Sequence, residues 1–196
     1  REKKRAEERL QACGILTEKE EASSALKEIS YKIIALEIGQ LLHDDVKMKG
    51  FGSDAFIGTA LLNMYGKCGD VNSAYSLFAK IQKRNIITWN AIIWAHVKCG
   101  NSDKAMVLYH QLKVSGLILD AHIFVAVLKG CSNSLSLFIV YAHLVESGLE
   151  LNIHVCTTLC DMFSSFDKFD EALSVFNMLP EKGITSCNAM IKGYTH

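Results

Sequence analysis

Side chains that donate and accept hydrogen bonds recur at matched places in this 196-residue chain, and none of them stands in a pattern that makes or breaks covalent bonds. Slid along itself by 98 positions, the sequence puts Thr59 on Thr157 and Asn90 on Asn188. Hydroxyls and amides without an activating base recognise polar edges rather than attack them. The nearest approach to a metal cluster is His154, Cys156 and Cys160, which lacks a fourth ligand. Under the same shift Cys156 and Cys160 fall where Gly58 and Leu62 stand, so they are expected to be packing residues. Cys68 and Cys99 occupy matching turns in different units, too far apart for one site. No serine–histidine–acid order, glycine-rich phosphate loop or His-x-Glu followed by Cys-x-x-Cys is recognisable. No catalytic residue, metal, cofactor or small-molecule substrate is expected, and read by themselves Thr59, Asn90 and Thr157 are ordinary polar residues of a solvated helix face.

Repetition decides what must position these groups. The 98-residue shift lays 54–84 over 152–182, with Leu61 on Leu159, Met64 on Met162, Ala74 on Ala172 and Phe78 on Phe176. A shift of 31 puts Lys67-Cys68-Gly69-Asp70 on Lys98-Cys99-Gly100-Asn101. The units divide near 54, 85, 120, 152 and 183. Within one unit Phe56, Ala60, Leu61 and Met64, then Val71, Ala74, Tyr75, Phe78 and Ile81, follow a helical period, which predicts two helices per unit. Gly66 and Gly69 are expected in the turn between them. Asp70 is expected to cap the second helix, as Asn101 or Asp103 would in the next unit. Ala74, Ala105 and Ala172 allow close helix approach, and Phe78, Tyr109 and Phe176 fill the space beside them. A unit this short cannot bury its own apolar face, so neighbours must stack. The predicted fold is all-α, an α-solenoid.

Composition agrees. Hydrophobic residues make up 49% with a single proline, and no apolar run approaches the roughly 20 residues of a membrane helix. Seven cysteines in no disulfide pattern point to a reducing compartment. The chain opens on Arg1, which reads as a fragment whose targeting segment, if one exists, is missing. Residues 1–9 hold five basic and three acidic side chains and no apolar stretch, so they are no secretory signal. The remaining residues hold 16 basic against 18 acidic side chains, which predicts weak phosphate attraction for these units alone.

Units of 31 to 35 residues carrying Trp89-Asn90-Ala91-Ile92-Ile93, Tyr65-Gly66-Lys67-Cys68-Gly69 and Met178-Leu179-Pro180-Glu181-Lys182 resemble pentatricopeptide repeat proteins. More narrowly, the chain resembles the plant subclass that alternates standard, long and short repeats. The tetratricopeptide signature, Trp-x2-Leu-Gly-x2-Tyr with a terminal proline per unit, is not present. The resemblance divides the chain into a charged helical segment or remnant of a preceding repeat (1–18), a divergent long repeat (19–53), a short repeat (54–84), a standard repeat (85–119), a shortened long repeat (120–151), a short repeat (152–182) and the start of another (183–196). Residues 120–151 run to 32 where the long form has about 35, so the turn around Ser132–Leu137 is expected to be shortened.

The resemblance implies a right-handed superhelix that binds single-stranded RNA, about one base per unit. It implies base reading by the fifth residue of a unit with the closing residue: Thr59 with Asn85, associated with adenine, and Asn90 with Asp120, associated with uracil. Val125 with Asn152, Thr157 followed by Gly183, and Asn188 complete the row. Base stacking falls to Phe56, Ile87, His122 and His154. The implied role is an address module in organellar RNA processing, modification or C-to-U editing. The implied location is an organellar matrix, the mitochondrion with the chloroplast as alternative. The implied partners are an organellar transcript and protein editing or processing factors, with no membrane. Val125, Gly183, Cys187 and zero net charge keep open a protein–protein scaffold of the same architecture with a degenerate RNA face.

Overall fold

A computed structural model describes residues 15–50, 54–179 and 182–194, and these form ten α-helices and no strand. They are α1 (Ile15–Met48), α2 (Ala55–Cys68), α3 (Val71–Lys80), α4 (Ile86–Lys98), α5 (Ser102–Val114), α6 (Ala121–Gly130), α7 (Ser134–Glu146), α8 (Ile153–Ser165), α9 (Phe169–Met178) and α10 (Ile184–Tyr194). Short polar side chains start most of them. Asp54, Asp70, Asn85, Asp120, Asn133 and Asn152 each accept the amide N–H three residues on, removing one of the free donors of a first turn. Asn101 takes the same place before α5 without a side-chain bond. Gly69 ends α2 at φ 89°, a left-handed conformation that lets the next amide, Asp70 N–H, return to the Tyr65 carbonyl at 3.0 Å.

The helices form two layers. The first helices of successive units pack in series, α2 on α4, α4 on α6, α6 on α8 and α8 on α10. Each second helix packs on its own first helix and on the next one, as α3 does on α2 and α4. The core is therefore continuous along the stack: Leu62, Tyr65 and Phe78 lead into Trp89 and Ile92, and so on to Phe163. Phe78 meets Trp89 edge-on at 4.8 Å between ring centroids. Arg84 also packs on this joint, its guanidinium 4.5 Å from the Phe78 ring and its Nε donating to the Phe78 carbonyl at 3.1 Å. Lys182, one period later, stands over Phe176 in the same way.

Four expectations are corrected. Residues 19–53 were expected to form a helix pair, but one helix, α1, runs from Ile15 to Met48. No proline or turn-forming glycine interrupts it, because Gly39 is held helical against the Met64 side chain on α2. Most of 1–18 lies outside the described residues. Gly66 is not in a turn; it is buried within α2, where a Cβ would stand 2.8 Å from the Cβ of Ala95 on α4. The helical period of Phe56, Ala60 and Tyr75 does not place them in the core. All three are exposed, and Gly58, Leu62, Tyr65 and Gly66 form the buried face of α2. The shortening of 120–151 falls in α6, with 10 residues against 13 in α4 and α8, rather than at Ser132–Leu137.

Gly66 and Gly130 therefore set helix spacing, since a Cβ on Gly130 would come 2.8 Å from Val97 Cγ2. Gly66→Ala and Gly130→Ala are each expected to lower unfolding free energy by about 1–3 kcal/mol. Gly183→Ala, with nothing within 4 Å of the added carbon, leaves it unchanged. Urea titration followed by circular dichroism checks the ranking.

Candidate functional site

The first-helix layer carries the predicted residues, and helical geometry explains their alignment. The second, fifth and ninth residues of a helix lie on one face. In α4 these are Ile87, Asn90 and Trp94; in α8 they are His154, Thr157 and Asp161. Stacking the helices turns each set into a row across the layer.

Two clefts run between the first helices. One of about 380 Å³, between α2 and α4, is lined by Asn63, Lys67, Ile87, Asn90, Trp94 and Lys98. The other, about 560 Å³, runs across α6, α8 and α10 and includes Val125, Lys129, His154, Thr157, Asp161 and Asn188. The structure thus brings Ile87 and Asn90 together, and separately Val125, His154, Thr157 and Asn188. Phe56 and His122 line neither cleft; both are exposed, Phe56 at 85%. The ninth-position row of Asn63, Trp94, Lys129 and Asp161 escaped sequence reasoning, although its spacing of four from the fifth residues was a usable signal. Lys129 Nζ sits 5.7 Å above the Trp94 ring, a cation–π contact that ties neighbouring units together on this face.

The reading positions differ in what they offer a ligand. Asn90 is half-buried, and its Oδ1 is enclosed without a hydrogen-bond partner. An orphaned acceptor of this kind costs about 1–3 kcal/mol. Thr59 Oγ1 reaches the Ala55 carbonyl at 2.7 Å and Thr88 Oγ1 at 3.0 Å. Thr157 Oγ1 donates to the Ile153 carbonyl at 2.7 Å. Asn85, Asp120 and Asn152 are the N-caps of α4, α6 and α8, so each has one oxygen engaged by the backbone. Val125 is half-buried and has no hydrogen-bonding group.

The cysteines near this face are core residues. Cys156 Sγ lies 2.8 Å from the Glu150 carbonyl, and Cys160 Sγ 3.5 Å from that of Ala172. Burial pushes the Cys160 thiol up to about 12 and raises Cys156 as well, which holds both as neutral thiols rather than metal-binding thiolates.

Family models and relatives identify these units. A model described as PPR repeat family matches 84–133, and one described as PPR repeat matches 59–86 and 154–184, together more than half of the chain. The chain belongs to the pentatricopeptide repeat family. Pentatricopeptide repeat-containing protein At3g13880 of Arabidopsis thaliana is 30% identical over 94% of this chain and 26% of its own length. At3g09040 of the same plant, named as mitochondrial, is 32% identical over 82% of this chain and 16% of its own. DOT4, named as chloroplastic, is 30% identical over 80% of this chain and 18% of its own. This chain thus spans about a quarter or less of these relatives. The crystal structure of the pentatricopeptide repeat protein PPR10 from maize overlays 79% of this chain and 28% of that one, with a TM-score of 0.41 at 18% identity.

Three histidines of this repeat protein join its helices. His43 Nδ1 lies 3.0 Å from Tyr65 Oη, and His143 Nδ1 3.0 Å from Tyr109 Oη, while His96 is 3% exposed with Tyr75 edge-on to its ring. Burial, reinforced by Lys47, Lys113 and Lys104 respectively, lowers all three below the ordinary imidazole value of 6.5. The folded state thus prefers neutral rings, and the unfolded chain takes up protons more readily in acid. Their stabilisation is complete above the unfolded value and is lost as pH falls through the folded ones. Thermal melts are expected to be flat above about pH 7 and to decline from about pH 6.5 downward, with the decline reduced in His43→Gln/His143→Gln.

Proposed function

We propose that this pentatricopeptide repeat chain binds single-stranded RNA along its first-helix layer, as part of an address module for organellar RNA processing, modification or C-to-U editing. Family membership supports RNA as the partner. The observation that carries the reading is the row itself: Asn90, Thr157 and Asn188, polar side chains at one register, line clefts of about 380 and 560 Å³ between stacked helices. In this reading Asn90 and Asp120 select uracil, Thr59 and Asn85 select adenine, and Ile87 and His154 pack against bases. Phe56 and His122 stand free on the surface to do the same. Thr157, Asn152 and Asn188 contribute contacts of lower selectivity, and Val125 contributes packing alone.

In this reading the repeats follow the alternating plant layout, with short units at 54–84 and 152–182, a standard unit at 85–119 and a shortened long unit at 120–151. Relatives named for the mitochondrion and for the chloroplast support an organelle matrix as the site of action. The chemistry of processing belongs to another component in this reading.

Zero net charge and the loss of polar reading groups at Val125 and Gly183 favour a second reading, a scaffold that binds protein on the same face. Fluorescence anisotropy with single-stranded and duplex RNA over a salt series separates the two. Salt-dependent binding of the single strand alone supports RNA reading; no binding of either supports the scaffold. Asn90→Ala and Asp120→Ala are each expected to weaken binding to a matching strand about tenfold, or about 1.4 kcal/mol. Lys104→Ala, an exposed lysine on α5, changes little. Asp120→Asn keeps the helix cap and replaces a carboxylate oxygen with an amide, so it changes base preference without loss of fold. Equal effects from Lys104→Ala and Asn90→Ala would defeat base readout.

A further inference from the structure

Thr88, the third residue of α4, is 1% exposed, yet its hydroxyl stands between two residues paired for base reading. Its Oγ1 lies 2.9 Å from Asn85 Oδ1 and 3.0 Å from Thr59 Oγ1. Its backbone amide donates to the same Asn85 Oδ1 at 2.9 Å, and Thr59 Oγ1 reaches back to the Ala55 carbonyl at 2.7 Å. The network crosses the joint between two units, since Thr59 sits on α2 while Asn85 and Thr88 open α4.

Proton accounting gives this network a direction. A side-chain amide accepts only at its oxygen and donates only at its nitrogen. Two donors from Thr88 converge on Oδ1, so the Asn85 amide is held with its oxygen inward and Nδ2 outward. The backbone donor already fixes which end of the amide faces inward, and the hydroxyl adds a second hold on the Asn85 side chain and ties it to Thr59 across the joint. The two hydroxyl protons of Thr59 and Thr88 are shared among three contacts. In each arrangement that keeps two of them, the Thr59 proton points into the protein, so Thr59 offers lone pairs only. The joint therefore presents an acceptor beside a donor. That combination complements an amino group next to an unprotonated ring nitrogen, as in adenine and cytosine, and opposes the carbonyl and imino N–H of uracil and guanine.

The other joints lack the bridge. Ile123 and Val155 occupy the place of Thr88 behind Asp120 and Asn152 and have no hydroxyl. Behind Gly183, Ser186 is 1% exposed and turns its hydroxyl to the Gly183 carbonyl at 2.8 Å. We infer that Thr88 is a positioning residue whose hydroxyl holds Thr59 and Asn85 at one spacing, so that their acceptor and donor meet the same amino-bearing base together; this rests on the RNA-binding reading above.

The test is selection of bound molecules from a pool of single-stranded RNA of random sequence, read by sequencing. Wild-type protein is expected to enrich adenine or cytosine at one nucleotide next to the one set by Asn90 and Asp120. Thr88→Val, which keeps the shape and removes the hydroxyl, loses the preference at that nucleotide while its neighbour's preference stays. Thr88→Ser restores it. A Thr88→Val profile identical to wild type, or one weakened equally at all positions, overturns the positioning role. No enrichment by wild-type protein overturns the RNA-binding reading itself, and this inference with it.

Discussion

A first helix in this chain has too much apolar surface for one partner to cover. Seven residues of α4 are buried, Thr88, Trp89, Ala91, Ile92, Ile93, Ala95 and His96, and they occupy more than one helical face. Their burial needs α2 on one side, α6 on the other, and both α3 and α5 behind. Each buried aliphatic of this size contributes about 1.5–3 kcal/mol, and the unit's own second helix supplies only part of the cover. Stability is thus shared between neighbours, as expected of a solenoid. The remaining face of each first helix is left for other uses.

Helix spacing follows from the same constraint. Gly66 against Ala95, and Gly130 against Val97, let the first helices approach closely enough to seal the core. Close approach brings fifth and ninth residues of adjacent units to the edges of common clefts. It also brings Thr59 within 3.0 Å of Thr88 across a unit boundary. Packing and recognition are consequently coupled at these joints: a change in small residues beneath the layer moves the polar groups above it.

Much of the architecture was legible in the sequence because repetition makes it so. The recurrence of Ala74, Ala105 and Ala172, and of Phe78, Tyr109 and Phe176, reports core positions that every unit must fill, and all but the half-buried Phe176 are buried. The Asp70 cap was legible because its chemistry acts on an amide three residues on, whereas the cap at Asn85 was not read and Asn101 makes no side-chain bond. Reading failed where a decision was not local. Gly66 looks like a turn residue until Ala95 is placed beside it, and the α1 segment looks like a hairpin until one finds no break strong enough to end the helix.

The sequence alone determined the helix-pair pattern after residue 54, the cap at Asp70 and the register of Thr59, Asn90, Thr157 and Asn188, since these depend on periodicity and short-range hydrogen bonding. Only the tertiary structure decided which of them share a cleft, that Asn90 Oδ1 is left without a partner, and that Thr88 links Thr59 to Asn85. Those facts depend on distances between helices from different units. Such distances are fixed by side-chain volume at the packed joints, a quantity that periodicity does not carry.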